Sequence, residues 1–510
     1  GQAACIPTGP SSATCPDDPN STRNGAVGVD PDDAFSTAVI TRGHLSNGVT
    51  QPLTIDGDDG DDTITIFSNK AAVTANGGPG RDKFVARAFI ITDSVQLNGD
   101  GDIDDFDYVL NDQLSVDGGE GVDTFTIVGT EANDGFIIDT DGAGAPTITL
   151  CKVDPATGRP DLGQPCAINS QAENVEVFEL LGIEGDDVFW IRSSTASTLV
   201  QMAGGEHSDR FIIGDGTTTD INGPVTIAGD DSGTVPGIAD PVVLPGENAE
   251  RAFAPSSTSG TDRGDTLELD ASADTSGLTG EVTDTAIRGL GMASGPFTIG
   301  AGTDIQTAPE VVAYDDLEFA EIVLGSGSDD VTVTSTHVGN TVCDSDGCPL
   351  RLLTASGIDL VDVQSIAGET VVDLGADDDV LTVGAPTTGG DELDQIDAQL
   401  TVRGDTGADT LDLDDTADAS TRVDVDPGVI TEAGLAQGGV VHTAVETVHV
   451  RLGDDDDTVN VRGTAADAST ATHVHGNGGD DTFYVSGAAA LDTFTTTDHL
   501  GGDLDQVDGP

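Results

Sequence analysis

The chain has 510 residues, with 18 Lys plus Arg against 92 Asp plus Glu, a net charge of −74. That balance argues against a nucleic-acid partner, whose binding rests on Lys and Arg contacts to phosphate, and it makes self-repulsion a cost that cations, salt or disorder must answer. Apolar residues form 36 % of the chain in short alternating runs, which argues against wholesale disorder, and no run of about 18 apolar residues offers a membrane span.

Residues 1–45 read as an N-terminal cap or extension. They hold Cys5 and Cys15, the first of three local cysteine pairs; the others are Cys151 with Cys166 and Cys343 with Cys348. Six cysteines allow fifteen connectivities. Local pairing is the simplest, and disulfides imply an oxidising compartment.

From 46 to 215 the sequence repeats one pattern: strand, Gly/Asp turn, strand. GDDGDDTIT from Gly57, GGPGRDKFV from Gly77 and GGEGVDTFT from Gly118 place Asp at position 6 and an apolar residue at position 8. Position 6 in this tract is Asp62, Asp82, Asp104, Asp123, Asp187 and Asp209. An insertion near 135–173 interrupts it, with Cys151 and Cys166 as a staple. Residues 216–313 form an irregular tract and a second insertion, carrying Asp265 at position 6. A second repeat tract, 314–510, has Asp329, Asp359, Asp379, Asp394, Asp409, Asp457, Asp481 and Asp505, and an insertion near 412–442. The insertions read as hairpins or loops projecting from the repeat array. A longer motif places Glu176, Glu318 and Glu446 six residues before position 1 of their units.

The expected fold is all-β, a parallel β-helix or β-solenoid with coils of about 20 residues, since Asp62 to Asp123 are spaced by 20, 22 and 19. Stacked coils repeat at about 4.8 Å. They would set Phe84, Phe106 and Phe125 in an aromatic ladder and Asp82, Asp104 and Asp123 in a column. Like charges that close raise one another's pKa. Cations between coils remove the conflict, and calcium, a hard ion taking 6–8 oxygen ligands, suits carboxylates and turn carbonyls.

The nonapeptides GGPGRDKFV and GGEGVDTFT resemble the RTX, or haemolysin-type, calcium-binding repeat, GGxGxDxUx. The resemblance implies tight glycine turns with positive φ. It also implies calcium held between neighbouring turns by backbone carbonyls and by the fifteen position 6 aspartates named above. Two departures stand out. One motif per coil implies calcium along one edge only, and Asp58, Asp405, Asn477, His207 and Asp455 replace turn glycines, which weakens those sites. The longer Glu-bearing unit is similar to repeats of very large bacterial surface and secreted proteins.

These features point to an extracellular or cell-surface structural protein: a rod, an adhesin stalk, or a filament or layer subunit. No HExxH, GxSxG or P-loop occurs. A carbohydrate-active β-helix enzyme, a polysaccharide lyase or epimerase, is the alternative; it would need a basic groove that 18 dispersed cations do not suggest. Ice binding is a third reading, with Thr63, Thr65, Thr124 and Thr126 as fragments of a flat array. His473 and His475 share a strand face and read as exposed polar positions. The stop at Pro510, just after a repeat, suggests head-to-tail assembly with further copies or contact with other cell-surface components.

Overall fold

The structure, a computed structural model, describes most residues between 51 and 487 and the short strands Ile6–Gly9 and Ser12–Thr14; between 51 and 487 the longest stretch outside the described residues is 230–263. Cys5, Cys15, Asp505 and most of the predicted cap at 1–45 lie outside the described residues. Every regular element among the described residues is a strand. The chain is all-β, with long parallel sheets.

The period-2 pattern explains why. In Thr63–Ile66, Ile64 and Ile66 turn inward while Thr63 and Thr65 do not, as alternation requires of a strand buried on one face. Thr63–Ile66, Lys83–Ala86, Asp105–Val109 and Thr124–Val128 pair in parallel, aligning Ile64, Phe84, Phe106 and Phe125. The strands before each turn, Leu53–Asp56, Val73–Pro79, Val95–Gly101 and Leu114–Asp117, pair in parallel in a second sheet. Each Gly/Asp turn thus carries the chain from one sheet to the other. Slipping a strand by one residue would turn its apolar set outward, so the buried phenylalanines fix the register. Phe84 and Phe106 stack with centroids 4.8 Å apart and planes 7° from parallel. Phe125 lies above them in register and meets Phe178 edge-on.

Contacts divide the chain into two units. The first holds Gly1–Arg210, Gly223–Arg263 and Pro296–Pro309, and the second holds Phe211–Asn222, Gly264–Gly295 and Glu310–Pro510. In the second unit Asp330–Val333, Leu360–Val363, Val380–Val383, Thr410–Asp414 and Thr447–Arg451 form one parallel run. Its aligned core is Val331, Val361, Leu381, Leu411 and Val448, all buried. Phe319–Val323, Leu350–Leu353, Thr370–Asp373 and Leu400–Arg403 form another.

The insertion within 268–313 contains antiparallel hairpins, Thr279–Val282 with Ala286–Gly289 and Phe297–Ile299 with Gln306–Ala308, and the other two form three-stranded meanders. Asp134–Thr140, Pro146–Asp154 and Ile168–Glu173 form an antiparallel meander whose outer strands pair in parallel with Val188–Ile191 and Leu114–Asp117. Arg422–Asp426, Val429–Glu432 and Val440–Thr443 repeat this arrangement, with outer strands parallel to Thr458–Val461 and Leu400–Arg403. Two reversals restore the strand direction, so a three-stranded meander fits within the plane of a parallel sheet and satisfies its own backbone groups.

Cys151 and Cys166 form a disulfide across the loop of the first meander, with Cα atoms 4.4 Å apart, and Cys343 pairs with Cys348. Replacing both Cys151 and Cys166 by Ser releases a loop with a sequence separation of 15. It is expected to lower stability by roughly 3 kcal/mol, read as a lower denaturant midpoint.

Candidate metal-binding columns

Position 6 is the residue just before the strand that leaves each turn, so parallel register stacks one aspartate on the next. The backbone N–H of Asp62 donates to Asp82 Oδ1 (2.8 Å), that of Asp82 to Asp104 Oδ1 (2.7 Å) and that of Asp104 to Asp123 Oδ1 (2.7 Å). A second column in the same unit runs from the Asp134 N–H to Asp187 Oδ1 (2.7 Å) and from the Asp187 N–H to Asp209 Oδ1 (2.8 Å). In the other unit the chain of bonds passes from the Leu278 N–H to Asp329, then to Asp359, Asp379 and Asp409, at 2.7–3.0 Å. A shorter column joins the Thr421 N–H to Asp457 (2.7 Å) and the Asp457 N–H to Asp481 (3.1 Å).

Each carboxylate that accepts in a column thereby uses one oxygen. The other, Oδ2, is buried without a hydrogen-bond partner in Asp82, Asp104, Asp123, Asp187, Asp329, Asp379, Asp409 and Asp457, and Asp62 Oδ2 at the start of the first column is likewise buried without one. In Asp62, Asp82, Asp104, Asp123, Asp187 and Asp409 it faces the glycine at position 1 of its own turn, whereas Asp329, Asp379 and Asp457 have Leu324, Leu374 and Leu452 at that position. A Cβ on Gly77 would lie 2.0 Å from Asp82 Oδ2, and one on Gly99 would lie 2.1 Å from Asp104 Oδ2 and 2.3 Å from the Gly118 carbonyl oxygen. At Gly99 two oxygens converge on the space a side chain would fill, so that turn requires glycine.

Burial is the largest cause of the raised pKa of Asp104, Asp123, Asp329, Asp379 and Asp409. It pushes Asp104, Asp123 and Asp379 up to about 7, and Asp329 and Asp409 up to about 6. Neighbouring carboxylates add to the rise, while the accepted backbone N–H opposes it. Fully buried Asp187 is raised for the same first reason, with Asp209 next.

The three glutamates of the longer motif continue the columns. Val177–Glu184, the strand before the Asp187 turn, pairs with Thr124–Val128, the strand after the Asp123 turn. That register puts Glu176 beside Asp123, and Glu176 Oε2 accepts the Asp123 N–H at 3.0 Å. Glu318 accepts from Asp265 (2.7 Å) and Glu446 from Asp409 (3.0 Å) in the same way. Each glutamate therefore stands where the motif changes from one sheet to the other. A longer side chain spans from a strand end lacking the Gly/Asp turn.

Asp394 lies apart from the columns, exposed in a turn. Its local spacing matches, but Ala385–Pro386 and Asp391–Glu392 pair antiparallel and draw the preceding residues into a hairpin. Asp134 was not among the sequence candidates. It carries the same signal, with Gly129 at position 1 and Phe136 at position 8, at the mouth of the first insertion. Asp58, Asp100 and Asp405 hold positive φ of 63–80° at turn position 2, which Asp and Asn tolerate better than other side chains. His473 and His475 are joined by His449 from the adjacent strand, whose Nδ1 is 3.3 Å from His475 Nε2. No protein-family model matches the chain, and no curated protein is similar to it.

Proposed function

We propose that the chain is an extracellular, calcium-stabilised structural protein of the haemolysin-type repeat kind, coiled as a β-solenoid and serving as a cell-surface rod, stalk, or filament or layer subunit. One observation carries the reading: turn after turn presents a buried carboxylate with one oxygen bonded to the neighbouring turn and the other without a partner. Such a group is costly as a bare anion. Hard oxygen donors beside glycine turns suit calcium, and Asp62, Asp82, Asp104, Asp123, Asp187, Asp329, Asp359, Asp379, Asp409 and Asp457 would hold it. The ion would supply positive charge between like carboxylates and bind only the folded chain, which stabilises that state by mass action.

The cationic side chains favour this reading over a polysaccharide-processing enzyme. Arg288 pairs with Glu281 and Glu310, Arg351 with Glu321 and Asp373, Arg451 with Asp412, and Arg462 with Asp424 and Asp426. They stitch acidic neighbours together instead of gathering to hold a uronate. The test is an ion count. After dialysis against micromolar calcium, metal analysis of the full chain should find several ions per molecule and fewer in a variant with Asp82, Asp104 and Asp123 changed to Asn. A chain that retains no calcium above a chelated control overturns the reading.

A further inference from the structure

Outside the columns, the meander near 412–442 brings three more carboxylates together. Asp415 follows the strand Thr410–Asp414; its N–H donates to the Arg451 carbonyl (2.9 Å), and its Oδ1 accepts the Leu393 N–H (3.1 Å). Glu432 ends the strand Val429–Glu432, and its Oε1 accepts the Thr421 hydroxyl. Asp418 lies in the turn between them, its N–H donating to the Asp415 carbonyl (3.2 Å) and its Oδ1 accepting the Ala419 N–H (2.7 Å). One oxygen from each lies within 4.8 Å of the other two.

Two observations separate this group from an ordinary acidic surface. Asp415 is 1 % exposed and Glu432 is 8 % exposed. Asp415 Oδ2 and Glu432 Oε2 are both buried without a hydrogen-bond partner. Among the described residues no Lys or Arg pairs with any of the three. Burial, followed by the charges of Glu432 and Asp418, pushes Asp415 up to about 8. Three carboxylates closing on one point without a counter-charge are stable only as acids or around a cation.

We propose that Asp415, Asp418 and Glu432 bind one calcium ion at a site separate from the aspartate columns, which fastens the 412–442 meander to the turn at Leu393. The donors are all carboxylate oxygens, with no His or Cys, which selects a hard ion over zinc or copper. Calcium tolerates the irregular geometry that two separate segments, the Asp415–Asp418 turn and the strand ending at Glu432, impose better than magnesium, which demands near-ideal octahedral coordination. None of the three ligands occupies position 6, so the site does not depend on the columns holding metal.

Hydrogen exchange of the full chain, with calcium as the probe, tests it. Calcium should slow exchange at least tenfold in peptides spanning 393–396, 415–418 and 421–432. Asp415→Asn with Glu432→Gln should abolish that protection and reduce the ion count by one, leaving the protection of 53–128 as in the parent. In chelator the same variant should exchange more slowly than the parent across 415–432, because it carries no opposed charges. If the double variant does not fold, Asp418→Asn, at a half-buried position, should remove the same protection. Identical exchange of the parent's 393–432 region in calcium and chelator overturns the proposal, as does an unchanged ion count in the variants. Calcium protection confined to 393–432 would uphold this site while overturning the column reading.

Discussion

In excess chelator at pH 8 the chain is expected to lose most of its β-sheet circular dichroism, and to regain it either with calcium or on acidification toward pH 5. The column aspartates set both signs. Their folded values, about 7 for Asp104, Asp123 and Asp379 and about 6 for Asp329 and Asp409, lie above the ordinary 3.8. The metal-free folded chain therefore holds protons more tightly than the unfolded chain. The stability contributed by protonation is fully present below about pH 4 and is lost as pH rises through 6 to 7. Each tenfold gain in a carboxyl's proton affinity on folding corresponds to about 1.4 kcal/mol, so several such groups together rival the whole stability of a typical domain, about 5–15 kcal/mol. Calcium reverses the slope, because it binds the ionised form and competes with protons. A denaturant midpoint that falls with pH in chelator and rises with pH in calcium is the expected pair of results. If the chelated chain keeps its spectrum at pH 8 while acid still raises the midpoint, the columns hold protons rather than metal. If neither calcium nor pH moves the midpoint, the buried carboxylates carry no such strain.

Much of this architecture is legible in the sequence because it is written in short range. Position 6 and position 8 are two residues apart, so an inward apolar residue fixes the phase of the aspartate beside it. Near-constant spacing then stacks Asp62, Asp82, Asp104 and Asp123 without further information. Asp394 marks where local spacing fails: its motif matches, but an antiparallel hairpin takes the place of the stacked turn. The role of Glu176, Glu318 and Glu446 depends on which earlier strand each later strand pairs with across an insertion, 53 residues away for Asp123 and Glu176. No local pattern specifies that. The cluster of Asp415, Asp418 and Glu432 is less legible still, since it exists only once the meander has folded its middle strand back. Asp134 is the opposite case: the full spacing is present, but its place at the start of a supposed loop hides it.

Asp104→Asn is expected to change sign with calcium, which makes it the sharpest single substitution. The amide has the size of the carboxylate, and its carbonyl oxygen can still accept the Asp82 N–H that Asp104 Oδ1 receives at 2.7 Å. What disappears is the charge. In chelator, a neutral rung between Asp82 and Asp123 relieves repulsion and desolvation together, so the variant should stay folded to a higher pH than the parent. In calcium it lacks a charged ligand, so it should bind fewer ions and unfold at a lower denaturant concentration. Asp104→Ala separates charge from hydrogen bonding. It leaves the buried Asp82 N–H without its acceptor, a loss of about 1–3 kcal/mol, and should destabilise the chain in both conditions. Asp394→Asn, exposed and unstacked, should change the unfolding free energy in either condition by no more than about 0.5 kcal/mol. Should Asp104→Asn weaken the fold equally with and without calcium, the carboxylate would be acting through shape and hydrogen bonding alone, and no ion would be needed between the coils.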